Sequence, residues 1–113
     1  MIYLAAPFSH PNPLVMEARV QSLCEFHALL VRTPPRLFYY NPLANSIGAA
    51  HAEIPESYWV NHGLHVLKSC QALYVLMLPG WEASSGVRKE IARAQELRIP
   101  IHYFNSDGKD VSL

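Results

Sequence analysis

Short apolar runs alternate along the chain with longer segments in which apolar residues recur every three or four positions. A run of four to eight aliphatic and aromatic residues, bounded by turn residues, is typical of a β-strand. Four runs fit this pattern, and we expect strands at Ile2–Ala6, Arg36–Tyr40, Ala72–Leu78 and Ile99–Phe104.

The longer segments have the three-to-four-residue spacing of a helix with one apolar face. Capping residues and prolines mark their ends, since Ser, Asn and Pro favour helix starts and a Pro pair stops a helix. The expected helices extend from Asn12–Pro13 to Pro34–Pro35, from Ser57 to just before Cys70, and from a cap at Ser84 or Ser85 to Leu97.

The resulting order, in which helices separate successive strands, predicts a single α/β domain over residues 1–113. Parallel strands need long crossover connections, so we expect a parallel sheet with helices on both faces. Residues 41–57 are the least regular segment, and a connection of this length in a compact domain is typically functional or mobile.

Composition narrows the possible partners and the compartment. Nine basic and nine acidic side chains cancel and form no basic run, so we expect neither a nucleic-acid polymer nor an anionic membrane as partner. The amino terminus lacks the pattern of a signal peptide or membrane anchor. Cys24 and Cys70 lie in apolar helical patterns without metal-ligand spacing, which predicts buried free thiols and a cytoplasmic location.

The segment from Leu78 to Glu90 has the layout of a ligand site. It joins a buried strand, a Pro-Gly break and a helix start with small residues, and ligands of open α/β sheets bind where strands end and helices begin. Exposed N–H groups there favour an anion. Glu90, in the second turn, can lean back into the crevice; alternatively it pairs with Arg93 on a solvated face. Trp81 is either a stacking surface for a planar ligand or a lid over the core.

Other polar and aromatic residues are candidates for the same sheet edge. Tyr3 lies within the first strand, where it can face a ligand or simply pack in the core. His10 lies in the loop after that strand, where a histidine is commonly just solvated. His62 and His65 are three residues apart, but no acidic or thiolate partner has ligand spacing, so we expect no metal site.

Two segments resemble the nucleoside 2-deoxyribosyltransferase-like superfamily. Ile2–Ser9, Ile-Tyr-Leu-Ala-Ala-Pro-Phe-Ser, is similar to its opening strand and first ligand loop, and Ser84–Ala94 is similar to its Ser/Gly-rich helix start with a glutamate. Short members of the superfamily share the Leu-Pro-Gly-Trp turn at Leu78–Trp81 and a tryptophan upstream, here Trp59. The likeness covers most of residues 1–104 in order and spacing.

The resemblance implies a flavodoxin-like, three-layer fold with a mostly parallel sheet of four or five strands. It also implies cleavage or transfer at the N-glycosidic bond of a nucleoside or nucleoside 5'-monophosphate, without a cofactor. Glu90 matches the nucleophile and Tyr3 the tyrosine that steadies it, while Ser84 and Gly86 match residues that hold a 5'-phosphate. The expected substrate-binding residues are Pro7, Phe8, Ser9, His10, Trp81, Ser84, Ser85 and Gly86.

One departure from the superfamily concerns the helix before the third strand. Members usually have an aspartate there, placed to protonate or position the leaving base, and this chain has Gly63. The carboxylate pair for separate acid and nucleophile roles is therefore incomplete. His62 is the candidate replacement, provided that the helix is turned or restarted at Gly63, because adjacent helical residues point about 100° apart. If the site is weakened by this loss, Gly63→Asp should raise base release; if His62 already serves as the acid, that change should do little and His62→Ala should be the damaging one.

Two other functions stay open at this stage. The chain could be a nucleotide-binding or sequestering protein that has lost turnover with the aspartate, or a domain whose aromatic loops mediate assembly. Superfamily sites are commonly completed by a neighbouring chain, and Tyr39, Tyr40 and Trp59 adjoin irregular segments. We therefore expect a homo-oligomer.

Overall fold

The computed structural model describes residues 1–44 and 55–112, which form a three-layer α/β fold. The helices and strands alternate as the apolar pattern predicts. In chain order they are β1 (Ile2–Ala5), α1 (Pro13–Arg32), β2 (Tyr39–Tyr40), α2 (Glu56–Leu67), β3 (Ala72–Leu76), α3 (Ser85–Leu97) and β4 (Ile101–Phe104).

The four strands form one parallel sheet in the order β2-β1-β3-β4. Tyr3 of β1 lies beside Tyr40 on one side and Leu73 on the other. The carboxyl ends of β1, β2 and β3 therefore meet at one edge of the sheet. A parallel sheet covered on both faces confirms the predicted flavodoxin-like fold, with four strands in the described part of the chain.

The side chains of the central strands alternate between two apolar layers. Leu4 faces α1 and packs with Leu23 and Phe26, whereas Tyr3 and Ala5 belong to a second cluster. That second cluster includes residues of α2 and α3, among them Leu67, Val87 and Ala94. Because β1 is buried on both faces, Tyr3 and Ala5 pack on the side of α2 and α3, whereas Leu4 packs on the side of α1.

All four strands are shorter than the apolar runs that predict them, and the first ends at Ala5 rather than at Ala6. The run 36–40 pairs only at Tyr39–Tyr40, on the edge of the sheet, and Phe38 is 82% exposed. The third strand ends at Leu76 rather than at Leu78. The last strand begins at Ile101, because the helix before it ends with Arg98 in the left-handed region and Pro100 has no N–H to donate.

The predicted starts of the first and third helices are confirmed. The Asn12 side chain accepts a hydrogen bond from the Leu14 N–H, and the Ser84 side chain accepts one from the Val87 N–H. The predicted start of α2 is wrong by two residues, since the cap position is Pro55 rather than Ser57 and the helix begins at Glu56. Of the irregular segment 41–57, residues 45–54 lie outside the described part of the chain.

Both cysteines are free thiols, in agreement with the sequence prediction. Cys70 is buried as expected, but Cys24 is exposed, because its position on α1 lies outside the buried stripe that contains Leu23 and Phe26. Among the described residues, no helix has both the length and the apolar character needed to cross a bilayer.

Candidate functional site

A cavity of about 610 Å³ opens at the carboxyl end of the sheet. Its walls come from β1, β2, the loop after β1, and the starts of α2 and α3. Apolar residues and a small set of polar groups line it together, as in many small-molecule sites. The polar lining residues are Tyr3, Ser9, Tyr40, His62, Ser84, Ser85 and Glu90, and the others include Phe8, Met16, Leu43, Trp59 and Gly86.

Tyr3 and Glu90 meet in this cavity through a hydrogen bond between the phenol and the carboxyl group. Tyr3 is 1% exposed, and its place on buried β1 fixes the direction of its ring. Glu90 lies in the second turn of α3, so its side chain leans back toward the helix start. Two elements that are distant in sequence thus place this pair.

Burial controls the protonation of both members of this pair. Glu90 is half-buried, and desolvation of its carboxyl group raises its pKa from 4.5 to about 7, although the Tyr3 hydrogen bond acts in the opposite direction. Burial, with the neighbouring Glu90 charge, strongly raises the pKa of Tyr3. Near neutral pH, Tyr3 is therefore a hydrogen-bond donor to a carboxyl group that titrates.

The alternative in which Glu90 pairs with Arg93 is not observed. Arg93 instead donates a hydrogen bond of 3.0 Å to Glu96, three residues further along the helix. That pair lies on the solvated side of α3, which leaves Glu90 to face the cavity.

Gly63 lies against the Tyr3–Glu90 pair. A Cβ atom built on Gly63 would collide with the Tyr3 hydroxyl and would stand 3.9 Å from Glu90 Oε2. Glycine thus allows α2 to approach the pair closely. The space that a longer residue would need at this position is filled by the Tyr3 hydroxyl.

His62 lines the same cavity, next to Gly63 in the chain. A hydrogen bond of 3.2 Å joins its Nδ1 to the Tyr40 hydroxyl. His62 reaches the cavity without a restart of the helix at Gly63, because α2 runs unbroken from Glu56 to Leu67. Gly63 faces Tyr3, and the 100° turn to His62 still falls on the side of α2 that lines the cavity.

The first residues of α3 form another wall. Ser84 caps the helix through a hydrogen bond of 3.3 Å from the Val87 N–H. Ser85 and Gly86 follow it and also line the cavity. A Cβ on Gly86 would meet only Ser84 Oγ, at 3.9 Å, so the space in front of this backbone belongs to the cavity.

The remaining predicted binding residues are divided between the cavity and its surroundings. Phe8 and Ser9 line it. His10 lines an adjoining hollow, where its Nδ1 accepts a hydrogen bond from the Asn12 N–H. Pro7 is buried outside the cavity lining, and Trp81 packs on Tyr103 with ring centroids 5.8 Å apart. Trp81 therefore covers the core instead of stacking in this cavity.

Arg19 of α1 joins two of the loops around the site. Its guanidinium donates hydrogen bonds to the carbonyl oxygens of Phe8 and Ser9, at 3.3 and 2.9 Å, and to that of Pro79 at 3.0 Å. The loop after β1 and the loop after β3 are thereby held to the same side chain. A rigid fork with several donors suits this role better than a lysine would.

Sequence reasoning missed the contributions of Tyr40, Trp59 and Arg19 to this region. Tyr40 ends the strand beside β1, so the meeting of parallel strand ends was the available signal. Trp59 is three residues before His62, at helical spacing. Arg19 donates to backbone carbonyl oxygens, and because every residue has such a group, the sequence does not indicate these partners.

The described residues contain no cluster of three or more His, Cys, Asp or Glu side chains that could hold a metal ion. Such a cluster is the usual minimum for a protein metal centre. The polar groups that the described residues bring to the cavity are one carboxyl group, two phenols, one imidazole and serine hydroxyls.

Comparison with known proteins identifies a family. No protein with a curated description matches this chain. A family model described as Domain of unknown function (DUF1937) matches residues 1–106, which include every described residue of the cavity. The chain therefore belongs to the DUF1937 family.

Proposed function

We propose that this protein cleaves or exchanges the N-glycosidic bond of a nucleoside or nucleoside 5'-monophosphate, with Glu90 as the nucleophile. The observation that supports it most is the Tyr3–Glu90 hydrogen bond inside a cavity at the carboxyl end of the sheet. A buried carboxyl group with a pKa near 7, held by a phenol in such a cavity, is typical of a catalytic group.

In the proposed reaction, the ionised Glu90 attacks the anomeric carbon of the sugar. A bond forms between a carboxylate oxygen and that carbon as the bond to the base nitrogen breaks, and the electron pair leaves with the base. Water, or the nitrogen of a second base, then displaces Glu90. Tyr3 donates to the carboxylate and fixes its orientation, which makes it a positioning residue.

The wall formed by Ser84, Ser85 and Gly86 is the proposed location of a 5'-phosphate. Backbone N–H groups at a helix start and serine hydroxyls are donors for phosphate oxygens. Phe8 and Trp59 line the cavity, and their rings offer apolar surface to a planar base.

A second candidate function is nucleotide binding without turnover. It is favoured by one observation: of the described residues that line the cavity, Glu90 alone has a carboxyl group. A site with one carboxylate lacks the acid and nucleophile pair of many glycosidases.

The two functions are separated by incubating the protein with a panel of nucleosides and their 5'-monophosphates. Free base is measured by chromatography, and binding is measured by thermal shift on the same samples. We expect base release from the wild type, none from Glu90→Gln, and ligand binding by both, because an amide keeps size and polarity but is a very poor nucleophile.

The matched control is Glu96→Gln, which makes the same change on the exposed side of α3 and should keep the wild-type rate. Binding without base release by the wild type supports the second function. A Glu90→Gln rate above about a tenth of the wild-type rate contradicts the nucleophile assignment.

We also propose a homo-oligomer. Leu14 at the start of α1 and Phe38 before β2 are 71% and 82% exposed, and exposed apolar side chains are candidates for a subunit contact. Light scattering after size-exclusion chromatography tests this, and a monomer at all concentrations contradicts it.

A further inference from the structure

We infer that His62, oriented by Tyr40, donates the proton to the departing base. This inference rests on the proposed function, since it names the acid for the same reaction. It also gives the cavity a proton donor that is not a second carboxyl group.

A base that leaves with the bonding electron pair needs a proton at its nitrogen, and the cavity has few groups that can supply one. Its titratable residues in the described part of the chain are Tyr3, Tyr40, His62 and Glu90. Glu90 is committed to the anomeric carbon, and Tyr3 donates to Glu90. An imidazole is the remaining group that ordinarily exchanges a proton near neutral pH.

The contact with Tyr40 decides which nitrogen of His62 serves the ligand. Nδ1 lies 3.2 Å from the Tyr40 hydroxyl, while Nε2 has no hydrogen-bond partner among the described residues. When Tyr40 accepts the Nδ1–H, the proton that moves is the one on Nε2. The rings of Tyr58 and Trp59 pack beside the imidazole, with centroids 6.1 and 6.3 Å from it, and these contacts restrict its rotation.

Gly63 explains how the helix that carries His62 comes close to the reacting groups. Because residue 63 has no side chain, the backbone of α2 can lie against the Tyr3 hydroxyl, near Glu90 Oε2. Any side chain at 63 would push α2, and His62 with it, away from the cavity floor. Gly63 is thus a positioning residue for the proton donor.

His62 and the attacking water account for every proton that moves in the reaction. In the first half, imidazolium Nε2–H gives its proton to the base nitrogen as the glycosidic bond breaks, which leaves a neutral imidazole that still donates Nδ1–H to Tyr40. In the second half, the imidazole takes a proton from the attacking water. The water oxygen bonds to the anomeric carbon, Glu90 departs as a carboxylate, and the imidazolium is restored.

The test compares two leaving groups on one sugar. One substrate is the nucleoside that the panel identifies, and the other is the 4-nitrophenyl glycoside of the same sugar, whose phenolate leaves without a proton. General acid catalysis typically contributes about a hundredfold or more. We expect His62→Gln to reduce kcat for the nucleoside by about that factor and for the nitrophenyl glycoside by no more than a few-fold.

Tyr40→Phe provides a second variant that keeps the ring and removes only the hydroxyl. It should show the same selective loss to a smaller degree, because Nδ1 loses its partner. His65→Gln is the control, since His65 is exposed on the same helix and does not line the cavity.

Each outcome decides the matter. Equal loss on both substrates assigns His62 a structural role and overturns the inference while base release by Glu90 stands. No loss with His62→Gln and Tyr40→Phe overturns it as well. If the wild type releases no leaving group from either substrate, the proposed function fails first and the inference falls with it.

Discussion

The Tyr3 hydroxyl occupies the position that the first side-chain carbon of residue 63 would take. These two residues are 60 positions apart, and their contact fixes the distance between β1 and α2 at the site. The sequence-based expectation that Gly63→Asp raises base release conflicts with this geometry. An aspartate could enter only if Tyr3 or the backbone of α2 moved, and either movement would disturb Glu90 or His62.

Gly63→Ala should therefore destabilise the protein and reduce turnover. Adding one carbon to a packed position typically lowers the free energy of unfolding by about 1–3 kcal/mol. Alanine otherwise favours a helix, so propensity acts in the opposite direction. Chemical denaturation and the rate of base release measure the two effects.

The contact with Tyr3 can be isolated by a double-mutant cycle. Tyr3→Phe removes the hydroxyl that the new carbon meets, so Gly63→Ala should be less damaging in that background. Gly86→Ala is the control for the stability measurement alone, because a Cβ there lies at an ordinary 3.9 Å from its nearest neighbour. Additive effects of Tyr3→Phe and Gly63→Ala would show that the clash is relieved elsewhere.

Much of the fold follows from local patterns. The caps Asn12 and Ser84 accept hydrogen bonds from N–H groups only two or three residues away. Buried strands are recognisable in the sequence as apolar runs. The boundaries that differed depend on neighbours in space. The second strand is only two residues long. It lies at the edge of the sheet and pairs with β1 alone, and its own sequence does not indicate where that pairing stops.

The candidate site was predictable only in part. Glu90 and the residues at the start of α3 were identified because strand end, turn and helix start are consecutive in the chain. The partnership of Tyr40 with His62 depends on how α2 packs against the sheet. The sequence also does not reveal whether the missing side chain of Gly63 matters. Only the position of the Tyr3 hydroxyl in the fold shows that a larger residue would not fit there.

A nucleoside 5'-monophosphate should bind more tightly than its nucleoside, by about tenfold or more, if the start of α3 holds the phosphate. Gly86→Val should abolish the difference. Its Cβ has room in the fold, and the added methyl groups would fill the cavity in front of the backbone. Calorimetry with both ligands measures this, and equal affinities for the wild type would place the phosphate elsewhere.

Arg19→Ala should loosen the two loops that the guanidinium joins. Three hydrogen bonds to the carbonyls of Phe8, Ser9 and Pro79 are lost together. We expect about 1–3 kcal/mol less stability and a higher KM, because both loops adjoin the cavity. Arg32→Ala, at the exposed end of the same helix, is the control. A wild-type KM for a folded Arg19→Ala protein would show that the loops keep their places without it.

Burial of the Glu90 carboxyl group makes stability depend on pH in a stated direction. The group has a pKa of about 7 in the folded protein, above its ordinary value of 4.5, so between these values the folded chain binds more protons than the unfolded chain. Its stabilising contribution is therefore full below about pH 4.5 and is lost as the pH rises through about 7.

Glu90→Gln removes this dependence, since an amide does not titrate. Relative to the wild type, the variant should gain stability as the pH rises from about 4.5 to about 7, by no more than about 3 kcal/mol in total. Urea denaturation of both proteins across this range measures the difference, with Glu96→Gln as the exposed control. A constant difference between Glu90→Gln and wild type would mean that Glu90 ionises as readily in the folded as in the unfolded chain. In the His62→Gln variant, which lacks the proposed proton donor, base release should rise with pH through about 7 as the Glu90 carboxyl group ionises in the folded protein.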